Sequence, residues 1–236
     1  RIDAAGNVGI GVTPETWGTN GDFRGLQVGS GLSLYGRGAG DEDRVGMMGN
    51  AYHDATNDRY EYIGTGHATH YAHSDGQHVF QVAPSGTADA AISFTTAMAI
   101  DNAGRVTKPL QPSFIARGYA SRPSSVVLFS SVPHNVGSHY NNSNGRFTAP
   151  IAGNYLMTWF ANAKSATSYM NWALHINGNE AVGAYSDVAT ASYDTTGGAI
   201  VVSLAAGDYV NVYSITAYPA PSTTANYSFF SGYLLG

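Results

Sequence analysis

The sequence predicts an almost purely β protein, and three observations carry that expectation. Only 11% of its 236 residues are charged, against about 25% in an average domain, so few side chains remain to form the polar face of a soluble helix. Glycine supplies 29 residues, about 12% of the chain against a usual share of roughly 7%. Serine, threonine, asparagine, tyrosine and valine make up much of the remainder, and these residues favour strands and the turns between them.

The same composition excludes several classes of function. With 43% hydrophobic and 12% aromatic residues, the chain can bury a core and is not a disordered segment. No apolar run approaches the roughly 18 residues of a membrane helix, so membrane insertion is not expected. A net charge of −5 with 11 Lys and Arg suits phosphate neutralisation poorly, so nucleic acid is not an expected partner. The absence of cysteine removes disulfides, thiolate metal sites and cysteine nucleophiles. The chain opens at Arg1 in mid-pattern, without a start methionine or signal peptide, and reads as part of something longer.

Charge divides the molecule. Residues 1–110 hold seven Lys/Arg and twelve Asp/Glu, a net of −5, whereas residues 111–236 hold four of each. Between them, Lys108-Pro109-Leu110-Gln111-Pro112 carries two prolines that stop strand pairing and stiffen a short linker. The expected organisation is a module over 1–108, a linker over 109–112 and a second domain over 113–236, with residues 1–12 closing a preceding module.

Within the first half, Ile2-Asp3-Ala4-Ala5-Gly6-Asn7-Val8 returns as Ile100-Asp101-Asn102-Ala103-Gly104-Arg105-Val106. Each copy reads as a strand end, an Asp that closes an Asx-turn, a Gly that accepts positive φ, and a β-branched strand start. Gly25–Tyr35 and His78–Val82 alternate like short strands, with Ser74-Asp75-Gly76 and Pro84-Ser85-Gly86 as turns. The segments RIDAAGNVGIG and HYAHSDGQHVFQVAPSGTADAAISFTTAMAIDNAGRV resemble modules of bacteriophage tail-fibre proteins. That resemblance implies a trimeric, elongated β-rich shaft on a virion, with other tail or fibre proteins as neighbours.

The second half carries landmarks at fixed intervals: Phe129, Asn135, Tyr140, Phe147, then Gly153-Asn154-Tyr155. Leu174-His175-Ile176-Asn177-Gly178, Gly207-Asp208-Tyr209-Val210-Asn211-Val212 and Phe230-Ser231-Gly232-Tyr233-Leu234-Leu235 follow. This spacing resembles the C1q domain, the jelly roll shared with the tumour-necrosis-factor superfamily. Met157 and Trp159 stand where that family carries Phe and Phe/Tyr, and both are large enough to keep the core role. From the residues themselves, Tyr155–Phe160 and Ala199–Leu204 read as strands, Asn141–Gly145 as a loop and Asn177-Gly178 as a two-residue hairpin turn. The resulting fold class is all-β: a β-rich fibre shaft module followed by a C1q-like jelly-roll sandwich, homotrimeric as the resemblance implies.

Chemistry is sparse and binding groups are plentiful. His67, His70, His73 and His78 cluster, but residues three apart on a strand point to opposite faces, so structural or exposed imidazoles are expected rather than a metal site. Asp41-Glu42-Asp43 lacks the spacing of a calcium loop. Asp187 and Asp194 are the one pair that could serve a glycan-cleaving enzyme, no Gly-x-Ser-x-Gly elbow occurs, and neither enzymatic activity nor a cofactor is expected. Three segments combine aromatic rings with amides or acids: Tyr169, Asn171 and Trp172; Tyr185, Asp187, Tyr193 and Asp194; Tyr218, Asn226 and Tyr227. Rings stack on the apolar faces of sugars while Asn and Asp bond hydroxyls, so these ten are the candidate receptor-binding residues. The function expected is attachment of a trimeric head to a host surface receptor, a saccharide by this chemistry; the alternative is a trimerisation cap with recognition elsewhere.

Overall fold

The computed structural model describes every residue except 19–22, 121–124, 165–168, 187–192 and 216–226, and the side chains of all the rest but 119, 120, 163, 164, 193 and 194. It divides into two compact units, Arg1–Leu110 and Gln111–Gly236. The described residues form strands and turns without a helix, as the composition dictates.

The first unit holds ten strands: β1 (Val8–Ile10), β2 (Arg24–Val28), β3 (Leu32–Gly36), β4 (Val45–Gly49), β5 (Ala51–Asp54), β6 (Arg59–Tyr62), β7 (Gly66–Ser74), β8 (Gln77–Gly86), β9 (Thr95–Ile100) and β10 (Val106–Thr107). Eight of them form one sheet in the order β1-β2-β3-β4-β7-β8-β9-β10, and β5 and β6 form a separate hairpin. One face of the sheet packs on Trp17, Phe23, Tyr52 and Tyr62 through Tyr35, Met48, Ala68 and Ala83. Glycine is needed here for close approach: a Cβ on Gly25 would run into the Trp17 ring, and one on Gly46 into the Tyr35 ring.

The two echoed turns are built alike. Asp3 Oδ1 accepts from the N–H groups of Ala5 (2.9 Å) and Asn7 (2.8 Å), and Asp101 Oδ1 from those of Ala103 and Arg105 (2.9 Å each). Gly6 and Gly104 take φ of 87° and 80°, in the region that glycine enters freely. Asp75-Gly76 makes the expected turn between β7 and β8, with φ of 54° and 73°. Pro84-Ser85-Gly86 does not form a turn; it ends β8 at a register shift opposite Gly66 and Ala68. The bulge absorbs the proline's missing donor, and its carbonyl accepts from the Tyr62 hydroxyl at 2.6 Å.

The second unit is a sandwich. Its strands are β11 (Ser113–Ala120), β12 (Ser125–Val126), β13 (Leu128–Val136), β14 (Tyr140–Asn141), β15 (Arg146–Thr148), β16 (Gly153–Lys164), β17 (Met170–Ile176), β18 (Asn179–Ser186), β19 (Tyr193–Leu204), β20 (Tyr209–Ser214) and β21 (Phe229–Leu234). The first sheet runs β13-β11-β21-β16-β19; the second runs β14-β15-β20-β17-β18, with β12 also on β20. Inward residues alternate with outward ones along each strand, so Phe129, Tyr155, Met157, Trp159, Trp172 and Phe230 meet in one core. The sequence landmarks are this core: the Phe114 ring lies 4.9 Å from each of Tyr140, Phe147 and Phe230. Asn135 holds the backbone of Tyr140 with both side-chain atoms, at 2.9 and 3.1 Å. Asn177 and Gly178, at φ of 52° and 84°, make the predicted two-residue turn.

Candidate functional site

Strand connectivity gathers several of the described candidate residues at one end of the sandwich. Strand β16 ends at Lys164 beside Tyr193, the first residue of β19. Strand β17 begins at Met170, paired with Ser186 at the end of β18, and Trp172 pairs with Ser214 at the end of β20. Tyr169, Tyr185, Tyr193 and Tyr227 therefore lie at the end opposite Ser113 and Leu234. The Tyr169 and Tyr185 rings stand 5.3 Å apart, tilted by 36°. Both are exposed, Tyr185 to 61%.

From that end a polar strip runs back along the outer face of the second sheet. Asn171 pairs with Tyr185, and the next outward position of β17, Ala173, lies between Gly183 and Tyr213. Beyond them Glu180, His175, Asn211, Arg146 and Asn141 pair in succession across β18, β17, β20, β15 and β14. Gly183 is a bare floor: a Cβ there would lie 3.0 Å from Glu180 Oε1 and 3.6 Å from Asn171 Oδ1. The His175 ring stacks on Tyr213 at 4.5 Å with an interplanar angle of 5°, and the Arg146 guanidinium covers the Tyr209 ring at 4.0 Å.

Electrostatics sharpen the strip. Burial holds the His175 imidazole below its ordinary pKa, favouring the neutral ring, with nearby Glu180 and the backbone hydrogen bond at Gly178 opposing the shift. Among the described residues, His175 Nε2, Asn211 Nδ2 and Arg146 Nε are buried atoms without a hydrogen-bond partner, and Asn211 is only 2% exposed. The ring's backbone hydrogen bond at Gly178 leaves Nε2 as an acceptor, whereas Asn211 Nδ2 and Arg146 Nε are donors; unsatisfied buried groups of both kinds favour a ligand or bridging water that can both donate and accept.

The core-defining landmarks have a counterpart among known proteins. The C1q domain model matches residues 114–235, more than half of the chain. This chain belongs to the C1q domain family. Complement C1q tumor necrosis factor-related protein 3 of Mus musculus is 33% identical over 107 residues, covering 44% of this chain and 44% of its own. The Homo sapiens protein of that name is 33% identical over 103 residues, covering 43% and 42%. The chain thus spans less than half the length of these curated relatives. Among solved structures, the globular domain of zebrafish complement 1qA protein aligns over 53% of this chain and 98% of its own, at 16% identity and a TM-score of 0.45. Murine APRIL covers 53% and 99%, at 14% identity and a TM-score of 0.45.

Within the C1q unit, the expected residues separate. Tyr169, Asn171 and Tyr185 come together, and exposed Tyr227 lies at the same end. Trp172 is a correction: it is 1% exposed and belongs to the core, because it points to the opposite side of β17 from Asn171. Asp187, Tyr218 and Asn226 lie outside the described residues, and so do the side chains of Tyr193 and Asp194. The strip of Glu180, His175, Asn211 and Arg146 was not expected. Its readable signal was the Asn177-Gly178 turn, which sets His175 opposite Glu180.

In the first unit, His70 is buried, with Tyr35 Oη at 2.9 Å from Nε2 and Gln81 Oε1 at 2.9 Å from Nδ1. His73 and His78 are paired neighbours on β7 and β8, while His67 is exposed. Asp41 pairs with Arg37 at 3.0 Å and Arg44 at 3.7 Å. The side chains of His70, His73, His78 and Asp41 thus have structural partners within the unit.

Proposed function

We propose that the chain is a non-catalytic binding protein whose C1q unit forms a homotrimer and attaches to a saccharide-bearing receptor on a cell surface. C1q domains are typically homotrimeric receptor-binding units. The observation that carries the saccharide reading is the exposed Tyr169–Tyr185 pair beside the Asn171 amide and Glu180 carboxylate. The rings offer a stacking platform, and the polar strip offers donors and acceptors for hydroxyls.

The outer face of the first sheet suits the trimer contact. Val201, Leu156 and Tyr233 are exposed there, and Ile115, His134 and Thr158 join Leu156 and Tyr233 around a hollow of about 520 Å³. Three weak sites on one trimer bind together with an affinity that none reaches alone. Val201→Glu places a charge in this contact. The expected result is a monomer by sedimentation that binds a multivalent glycan surface at least ~10-fold more weakly; an unchanged trimer contradicts the contact.

A second reading is a trimerisation cap for a fibre, with recognition elsewhere, and the apolar face of the first sheet favours it. The setting proposed for either reading is a bacteriophage tail fibre on a virion. Its support is the repeated turn at Asp3 and Asp101 and the text of residues 68–108; the mouse and human relatives contribute nothing to it.

A further inference from the structure

We propose that the uncovered face of the first unit's sheet is an interface between copies of this chain, its apolar rows covered by neighbouring copies. Leu26, Leu34, Met47, Tyr71, Phe80 and Met98 pair in succession across β2, β3, β4, β7, β8 and β9. This row lies on the side away from the buried core. Leu34, Met47 and Phe80 in it are exposed, as are Val28 and Val82 in the row beside it. Tyr71 and Phe80 stack at 4.6 Å, so the centre of the face is aromatic.

Charge and shape favour a copy as the occupant. Six strands about 4.8 Å apart and two rows of side chains about 7 Å apart give an apolar face of roughly 400 Å². That is the scale of the largest apolar patch a lone chain leaves open, and about half of the roughly 800 Å² that each partner gives a stable interface, so the contact adds to another between the same copies. The unit holds twelve Asp/Glu against seven Lys/Arg, yet neither of these two rows contains a charged residue. A copy of the same net charge can therefore approach this face without bringing acids together, whereas a polar saccharide finds little to bond. Gly49 opens a hollow of about 450 Å³ between Leu32, Met47, Thr69, Phe80 and Val82, deep enough for an apolar side chain of the copy. The trimer proposed above, on which this point rests, also favours a copy: a short connection to a trimeric unit holds the copies at about millimolar effective concentration.

The test is peroxide oxidation of the full chain at micromolar concentration, read by mass spectrometry at each methionine, together with sedimentation. Met48, which is fully buried, is the internal reference. The expected result is an oligomer in which Met47 oxidises at least ~10-fold more slowly than free methionine. Leu34→Glu with Phe80→Glu should restore its reactivity while Met48 stays protected. Val201→Glu separates this proposal from the C1q trimer: protection of Met47 in Val201→Glu at high concentration, lost on dilution, shows that the face pairs by itself. Fast oxidation of Met47 in the assembled wild-type protein overturns the proposal. So does protection that persists in a monomer, which would place another part of the same chain on the face.

Discussion

The rings of Tyr169 and Tyr185 stand 5.3 Å apart at one end of the C1q unit, one just before β17 and the other near the end of β18. Neither ring is in the core, and the Asn171 amide lies beside them on the same face. A pair of exposed rings next to directed hydrogen-bonding groups is suited to recognition and contributes little to packing.

That distinction is measurable. Tyr169→Ala with Tyr185→Ala should reduce glycan binding by at least ~10-fold and shift stability by less than about 1 kcal/mol, since surface substitutions away from special features change little. Glycan-array binding and thermal melts of the same preparation check both halves. A large loss of stability would place the rings among the structural groups.

Trp172 makes the opposite case. Trp172→Ala empties a core position between the sheets and should destabilise the C1q unit by about 3–5 kcal/mol. Denaturant unfolding followed by near-UV signal measures it. A variant that remains as stable as wild type would contradict the core assignment.

Close approach predicts a cost at Gly25. Gly25→Ala drives a methyl group into the buried Trp17 ring and should destabilise the first unit by about 1–3 kcal/mol, the usual range for overpacking. Gly29→Ala is a control of a different kind, because its Cβ meets nothing and only its φ of 60° opposes it. Melts of the two variants rank the steric effect against the backbone effect.

The buried imidazole of the first unit predicts acid sensitivity. Burial lowers the pKa of His70 from 6.5, with the Gln81 hydrogen bond opposing, and burial lowers that of His53 as well. Above about pH 6.5 both folded and unfolded forms are neutral. As the pH falls below that value, the unfolded chain takes up protons that the folded unit resists, so stability declines. Melting temperatures from pH 7.5 to 5 should fall, and His70→Gln, which still bonds but does not titrate, should flatten the curve. An unchanged slope in that variant contradicts the assignment to His70.

Much of the fold was legible because the landmarks are packing requirements. Phe129, Tyr140, Phe147 and Tyr155 keep their spacing because they surround Phe114 and Phe230 in one core. The Asp3 and Asp101 turns were readable because an Asp side chain and a left-handed glycine define them locally. Trp172 was misplaced because Tyr169-Met170-Asn171-Trp172 carries large groups on both faces, which hides the phase of the alternation. Of the Glu180–His175–Asn211–Arg146 strip, only the His175–Glu180 pair across the Asn177-Gly178 turn was legible; Asn211 and Arg146 join it through strand register from distant segments. Pro84 looked like a turn because a bulge that accepts proline leaves no local signature.

Ligand binding on the outer face of the second sheet can be read from a glycan-array comparison of wild type with Glu180→Gln and Tyr185→Ala. Glu180→Gln keeps the size of the side chain and removes only its charge. The expected result is a trimer of unchanged mass in all three proteins and at least ~10-fold weaker binding in both variants. Wild-type binding retained by both variants would place the ligand elsewhere.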